Sequence, residues 1–357
     1  MSGDPGDALP DLGAAGWRWP AEWEPHRATW IAWPKNPETW PGGLLTRVEA
    51  VWARIIEALL GAEPVEVLVD DEASEEAARC ALRGAGLPLE DARLRFHRIP
   101  TDDAWVRDTG PLVLVRGERE RLALCTRFDA WGGKYPPFDR DAAAGRRIAD
   151  AAGLPAVQVD LVLEGGSVDG NGCGTVLTTE SCLLHPNRAG RGRPRTRDGM
   201  EEALARLLGA RRVVWLGAGI AGDDTDGHVD DLCRFVASHT VVAAAPGEES
   251  DPNAAALREN LRRLRGLRDA EGRPIEVVPL PMPPPLSGAE GLLPATYANF
   301  YLATGIALVP VFGVPTDARA LAVLREVLAP REVVGIPARE LVHGLGAVHC
   351  LTLHEPA

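Results

Sequence analysis

Paired cysteines are missing from this 357-residue chain: its six, at 80, 125, 173, 182, 233 and 350, are scattered and form no CxxC. That excludes the usual zinc-ribbon and dithiol patterns and reads as reduced thiols in a cytoplasmic setting. No apolar run approaches membrane-spanning length, and the stretch at 213–221 is short and follows Arg211 and Arg212. Residues 1–16 have neither a basic start nor an apolar segment, so no secretory signal is expected there. Polar and rich in Gly, Pro and Asp, they read as a disordered tail. Positive charge is also short: 38 Lys and Arg against 51 Asp and Glu give a formal −13. Such a surface disfavours nucleic acid and suits a small cationic partner. Phe and Tyr are few, six and three, which leaves the ten Trp as the aromatics worth locating.

The length suffices for a large core. From residue 17 onward strand-like and helix-like stretches alternate without a long linker, so residues 17–357 are expected to form one domain. Helices are predicted over 45–60, 72–87, 141–152, 199–208, 254–267 and 317–328. Strands are predicted over 28–33, 65–69, 93–99, 112–115, 122–128, 157–163, 175–179, 212–215, 233–245, 275–280, 306–312, 332–336 and 348–353. Strand pairs and helices recur every sixty-odd residues, the mark of one α/β domain built from similar ββαβ units.

Five polar clusters fall at or just beyond predicted strand ends: Trp105 to Asp108, Glu164-Gly-Gly, His228-Val-Asp230, Asn299, and His349-Cys350. In repeated α/β units such ends converge on one face, where a site made of several loops can be built. An arbitrary Cys is usually a small buried apolar residue. Cys350, however, follows Gly344 and Gly346, which permit close backbone approach to a ligand. A reactive thiol needs a base or a nearby positive charge, which a cationic substrate can itself supply. His349 is a poor base for it, since neighbours on a strand point to opposite faces. His228 and Asp230, two apart on an extended segment, would share a face as acid/base and carboxylate. They could equally belong to a polar surface turn, or with Cys233 and His239 to a mixed metal site, although that spacing fits no strict zinc pattern. Trp105 and Asp108 suit a planar cation, ring against its face and acid against its N–H groups; the plain alternative is a core Trp and a turn Asp. Glu164 would cap a turn or orient a catalytic His. The run from Asp169 to Glu180 nearly fits a calcium loop, but Cys173 replaces an oxygen ligand and the flanks read as strands, so a hairpin turn is expected. Arg188 to Arg197 reads as a solvated or substrate-covering basic loop.

In order along the chain, Trp19-Pro-Ala-Glu-Trp-Glu-Pro25, Ala32-Trp-Pro34, Trp105-Val-Arg-Asp-Thr-Gly-Pro111, Glu164-Gly-Gly-Ser167, Thr225-Asp-Gly-His-Val-Asp230, Tyr297-Ala-Asn-Phe300 and Gly346-Ala-Val-His-Cys350 resemble the agmatine deiminase family. That family includes bacterial-type peptidylarginine deiminases. The resemblance implies a pentein fold, a five-fold pseudosymmetric α/β propeller of ββαβ units. It implies Cys350 as nucleophile, His228 as general acid/base and Glu164 as its partner. Asp108 and Asp230 would bind the guanidinium, Trp105 and Gly346 would line the substrate, and Asp224 would meet a distal ammonium. The implied reaction hydrolyses agmatine to N-carbamoylputrescine and ammonia through a Cys thiouronium, with no metal and no organic cofactor.

Three departures from the family pattern bear on substrate. Asp224 stands where Glu is frequent, Leu353-His354-Glu355 replaces glutamines, and Leu345 occupies a position that is more often Gly. Free arginine or peptidyl-arginine is therefore the alternative substrate. An amidinotransferase, or a guanidine-binding protein without a reactive thiol, are the readings from other classes. Homo-oligomer formation is compatible with the sequence.

Overall fold

The computed structural model describes residues 9–189, 195–247, 251–289 and 291–357. Three-stranded sheets with one repeated plan dominate it. Strands Leu112–Arg116 and Glu120–Arg127 pair antiparallel, and the latter pairs parallel with Ala156–Val162 after helix Asp139–Ala151. The same antiparallel-then-parallel order recurs in Asp169–Gly170, Thr175–Thr179 and Arg212–Leu216. It recurs again in Cys233–Ala237, Thr240–Ala245 and Glu276–Pro281, and in Tyr301–Ala303, Ile306–Val311 and Glu332–Pro337. A fifth set joins the two ends of the chain. Thr352–Pro356 lies antiparallel to His26–Ala32, which runs parallel to Val65–Val69, with Leu94–Arg98 added at the edge. The structure is thus mixed α/β, and the ββαβ order predicted from the sequence is present five times.

Local sequence accounts for these elements. Helix Leu44–Leu60 buries Val48, Val51, Trp52, Ile55, Ile56 and Leu59, one stripe at helical spacing. Helix Glu72–Gly84 opens on a reciprocal cap between Asp71 and Ser74. Helix Arg197–Leu208 starts at the Thr196 hydroxyl and stops where Gly209 turns left-handed at φ 70°. Val65–Val69, flanked by parallel neighbours, is buried at every residue.

Several expectations change. Of the expected tail, residues 1–8 lie outside the described residues, but 9–16 are not loose. Leu12 is buried among Leu204, Leu207 and Leu208, and the Gly13 amide donates to the Arg206 carbonyl at 2.8 Å. The last strand starts at Thr352 rather than 348, because 348–351 make a turn. A one-turn helix, Val106–Thr109, and a hairpin of Leu286–Gly288 with Gly291–Leu293 carried no periodic signal and were not foreseen. No helix among the described residues is long and apolar enough to cross a membrane.

The sheets are tied together at Glu22, a buried acid preceding the first strand. Its Oε1 accepts from Arg234 Nη2 at 2.8 Å and from the Leu302 amide at 2.9 Å. Its Oε2 accepts from Arg107 Nη2 and His349 Nε2, both at 2.8 Å. Arg234 in turn reaches Asp169 Oδ1 at 3.2 Å and the Phe300 carbonyl at 2.6 Å. Segments entering or within all five sheets therefore meet around one carboxylate. Burial would raise the pKa of Glu22, but Arg234, His349 and Arg107 hold it well below the usual range.

Replacing Glu22 with Gln leaves two buried guanidinium groups short of charge. It is expected to cost about 3–5 kcal/mol in urea unfolding at neutral pH. Because the folded pKa is depressed, this stabilisation is complete above the unfolded value, about pH 4.3, and fades as pH falls toward the folded one. The gap between wild type and Glu22→Gln should thus be constant at higher pH and narrow only in acid; a gap that widens in acid would contradict the account.

Candidate active site

Four chain segments deliver polar side chains to one buried place. The turn Val106–Thr109 presents Asp108, whose Oδ1 accepts from the Gly166 amide at 2.9 Å and whose Oδ2 accepts from Trp131 Nε1 at 3.0 Å. Glu164 leaves strand Ala156–Val162 two residues past its end, as the sequence suggested. His228 and Asp230 do converge, but through a 3₁₀ turn at Val229–Asp231 rather than an extended segment. Both border the Cα of Gly166, where a Cβ would come within 2.6 Å of His228 Nδ1 and 3.0 Å of Asp108 Oδ1 and Asp230 Oδ2. Only glycine lets these three side chains close over the backbone.

Cys350 sits at the turn before the last strand and is partly exposed. Its Sγ is 3.2 Å from Asn299 Nδ2, and Asn299 Oδ1 accepts from the His349 amide at 2.9 Å and the Cys350 amide at 3.4 Å. Asn299, a cluster without a role at the level of sequence, thereby holds the backbone that carries the thiol. Trp105 packs on Trp40 with ring centroids 5.5 Å apart, and Gly346 lies against its ring so closely that a Cβ would sit 2.5 Å away. Leu345, where the family pattern favours Gly, keeps a left-handed backbone with φ 68°. Asp224 is capped by the Tyr135 hydroxyl, and Lys134 reaches its carbonyl.

The site is acidic and dry. Burial raises the pKa of Asp108, reinforced by Asp230 and Glu164 and opposed by His228. Burial would also raise Asp230, but His349, His228 and Arg234 bring it below its ordinary value. Asp231, unassigned from sequence, is pushed well up by burial and by Asp230 and Asp223. Burial disfavours the His228 cation, yet Asp108, the Cys182 thiol and Asp230 raise its pKa well above the ordinary value. Its Nδ1 lies 3.8 Å from Asp108 Oδ2. Burial and the surrounding Asp230, Asp231 and Asp108 push the Cys350 thiol well up, so the resting sulfur is protonated.

Corrections follow for the remaining clusters. Arg188, read as the start of a solvated loop, is fully buried; its Nε donates to Glu164 Oε1 at 2.8 Å and its head also meets Asp226. Residues 190–194 of that stretch lie outside the described residues, but Arg195 Nη2 donates to the Val162 carbonyl at 2.7 Å and Arg197 opens a helix, so its end is not a solvated loop. His239 is exposed on a turn beside Ser238, so it joins no site with His228, Asp230 and Cys233. One group among the described residues does bring metal-type donors together: single atoms of Glu164, Cys182 and His228 lie within 4.8 Å of one another. The Arg188 cation on Glu164 and the raised pKa of His228 make it a poor fit for a metal. The calcium-like run is a hairpin turn: Asn171 Oδ1 accepts from the Cys173 and Thr175 amides, and Asp169 pairs with Arg234. Glu22, Arg188, Cys182, Asp231 and Trp131 had no assigned role at the level of sequence. Trp131 stands at φ 54° inside a left-handed turn from Ala130 to Gly133, a strained backbone that aims its indole at Asp108.

The family model described as Porphyromonas-type peptidyl-arginine deiminase matches residues 18–356. The chain is 37% identical to the agmatine deiminase of Ectopseudomonas mendocina over 96% of both chains. It is 36% identical to that of Pseudomonas aeruginosa, again over 96% of both. The structure of the Enterococcus faecalis agmatine deiminase aligns over 98% of both chains with TM-score 0.88 and 29% identity. The fold is accordingly the mixed α/β type of the pentein-fold deiminases. The chain belongs to the Porphyromonas-type peptidyl-arginine deiminase family.

A raised thiol pKa has a direct readout. Iodoacetamide labelling of the Cys350 peptide, followed by mass spectrometry apart from exposed Cys80, should still climb with pH beyond about 8.5, the ordinary thiol value. Asp230→Asn removes a nearby negative charge and should shift that profile to lower pH. A labelling rate already level by neutral pH would refute the assigned electrostatics.

Proposed function

We propose that the protein is an agmatine deiminase, a hydrolase acting on the C–N bonds of a linear amidine, with Cys350 as its nucleophile. The observation that carries the reading is the thiol beside Asp108 and Asp230, two buried acids able to hold one planar cation. Asp230 Oδ1 is buried with no hydrogen-bond partner among the described residues, and a guanidinium N–H would satisfy it. The identity to agmatine deiminases over nearly the whole chain supports the same conclusion.

Chemistry follows from the electrostatics. The carboxylates that keep Cys350 protonated are the ones a bound guanidinium would offset, so with substrate in place the thiol gives its proton to solvent and thiolate forms. Trp105 and the close backbone of Gly346 form the wall beside the thiol. Sulfur attacks the central guanidinium carbon, with positive charge shared onto Asp108 and Asp230. His228, protonated at rest, gives its proton to the departing nitrogen, which leaves as ammonia. The carbon stays bonded to sulfur as a thiouronium. His228, now neutral, takes a proton from water and the hydroxide oxygen attacks; the C–S bond breaks, the remaining hydroxyl proton passes to the departing sulfur, and a ureido product leaves with the resting thiol restored. Glu164, shared between Arg188 and His228, steadies the imidazole. No metal or organic cofactor enters these steps.

The five ββαβ sets meeting at Glu22 support a ring of five units over residues 17–357, with the site on its axis. Free thiols and an acidic surface suit a cytoplasmic enzyme. Leu353, His354 and Glu355, the departures near the C-terminus, are engaged inside the fold: Leu353 lies against Gly110, His354 stacks on His26, and Glu355 accepts from Trp30. They leave agmatine standing as substrate, with Asp224 and its Tyr135 cap as the candidate receiver of the distal ammonium. The family description keeps peptidyl-arginine as the second reading.

Incubation with agmatine, arginine and an arginine peptide, with ammonia and ureido product measured, is expected to show turnover of agmatine foremost. Absence of ureido product from all three would sink the proposal. Cys350→Ala should lower kcat by at least about a thousandfold while agmatine still binds.

A further inference from the structure

We infer that His349, next to the thiol, is a positioning residue that fixes Asp230 as a one-oxygen receptor for the guanidinium by donating from both ring nitrogens; this rests on the guanidine reading above. The ring is buried, with Nδ1 2.6 Å from Asp230 Oδ2 and Nε2 2.8 Å from Glu22 Oε2. A neutral imidazole has one N–H, so it would set a lone pair against a carboxylate at one of these contacts. Both acids have low pKa values against the pull of burial, Glu22 through Arg234, His349 and Arg107, Asp230 through His349, His228 and Arg234. A donor at both contacts requires an N–H on each ring nitrogen.

Charge balance gives this contact its function. Glu22, Asp169 and Asp230 face Arg107, Arg234 and His349, three charges of each sign in one buried set. Without the His349 ring Glu22 still keeps Arg107 and Arg234, but Asp230 loses its side-chain hydrogen-bond partner among the described residues. It must then take a proton or turn away. Either change removes the ionised Oδ1 that the substrate needs. The backbone around the thiol is held separately, because the His349 and Cys350 amides both donate to Asn299 Oδ1. Changing the His349 side chain thus perturbs the receptor without unseating the nucleophile.

The pH consequence has a definite sign. His228, Asp108, Asp223, Asp231, Arg234 and Cys350 surround Asp230, while Glu22, Arg107, Asp169 and His354 surround His349. Guanidinium binding is lost as pH falls through the pKa of Asp230. Removing the cation that holds this pKa down moves the acid limb to higher pH.

Protection of Cys350 from iodoacetamide by methylguanidine, read by peptide-resolved mass spectrometry, yields a dissociation constant without turnover. We would measure it from about pH 5 to 9 in wild type, His349→Gln, His349→Ala, Asp230→Asn and the double variant His349→Gln/Asp230→Asn. Both His349 variants should bind about tenfold more weakly, with the acid limb raised by about one pH unit. With agmatine, KM should rise more than kcat falls. In the Asp230→Asn background, His349→Gln should add nothing further. Unchanged constants and acid limb overturn the inference, as does a fall in kcat alone. Wild type that is neither protected nor turned over overturns the guanidine reading instead. Should the variants not fold, ¹⁵N-histidine spectra of wild type decide: His349 protonated on both nitrogens at pH 7 supports the inference, and a single protonated nitrogen defeats it.

Discussion

A single carboxylate, that of Glu22, organises both the fold and the chemistry. An isolated acid at that depth would be prohibitively costly, so its four donors must arrive together. They come from Arg107, Arg234, Leu302 and His349, which lie in or beside different sheets. Packing the sheets and neutralising the acid are consequently one event. The same event sets the site, because Arg107 is the neighbour of Asp108, and His349 is the neighbour of Cys350. Two groups that touch the proposed substrate are thus held through the residues beside them.

The site's charge has a second consequence. Asp108, Asp230, Asp223 and Asp231 crowd around the His228 imidazole, and three of the four, Asp108, Asp230 and Asp231, border the thiol closely enough to suppress its ionisation. A resting enzyme of this kind keeps its sulfur protonated and hard to oxidise or alkylate, since reactivity follows the thiolate. The cation that relieves the crowding is the one the acids recognise. Recognition and activation are then a single electrostatic act, which favours guanidines over neutral ureas of the same shape. The ureido product, lacking the charge, is correspondingly released.

What the sequence disclosed follows from which signals are local. Apolar spacing at Val48, Val51, Ile55 and Leu59 marks a helix without reference to anything else, and strand runs recur with it often enough to reveal the repeated unit. Glu164 at a strand exit and the glycines before Cys350 are likewise legible. Arg188 was not, because a buried arginine and a solvated one look alike until the partner acid is placed, and Glu164 is 24 residues away. Trp131 escaped because its signal is a left-handed backbone, invisible in a residue that rarely adopts one. His228 and Asp230 were paired correctly but through the wrong geometry, a one-turn 3₁₀ segment having no period of its own. The role of His349 could not be read from alternation along a strand, since residues 348–351 are a turn.

The strand that follows the thiol pairs with one near the other end of the chain, Ile31 opposite Thr352 and His26 opposite Pro356. Synthesis proceeds from the N-terminus, so Asp108, Glu164, His228 and Asp230 are made before that strand, before the His349 that holds Asp230 and before the thiol. The thiol proposed as nucleophile reaches its seat with that strand and His349. Contacts that span the chain also form late in folding, because closing so long a loop is entropically costly. A partly made or partly folded molecule therefore lacks both the imidazole that holds Asp230 and the thiol, and the seam that completes the fold also completes the site.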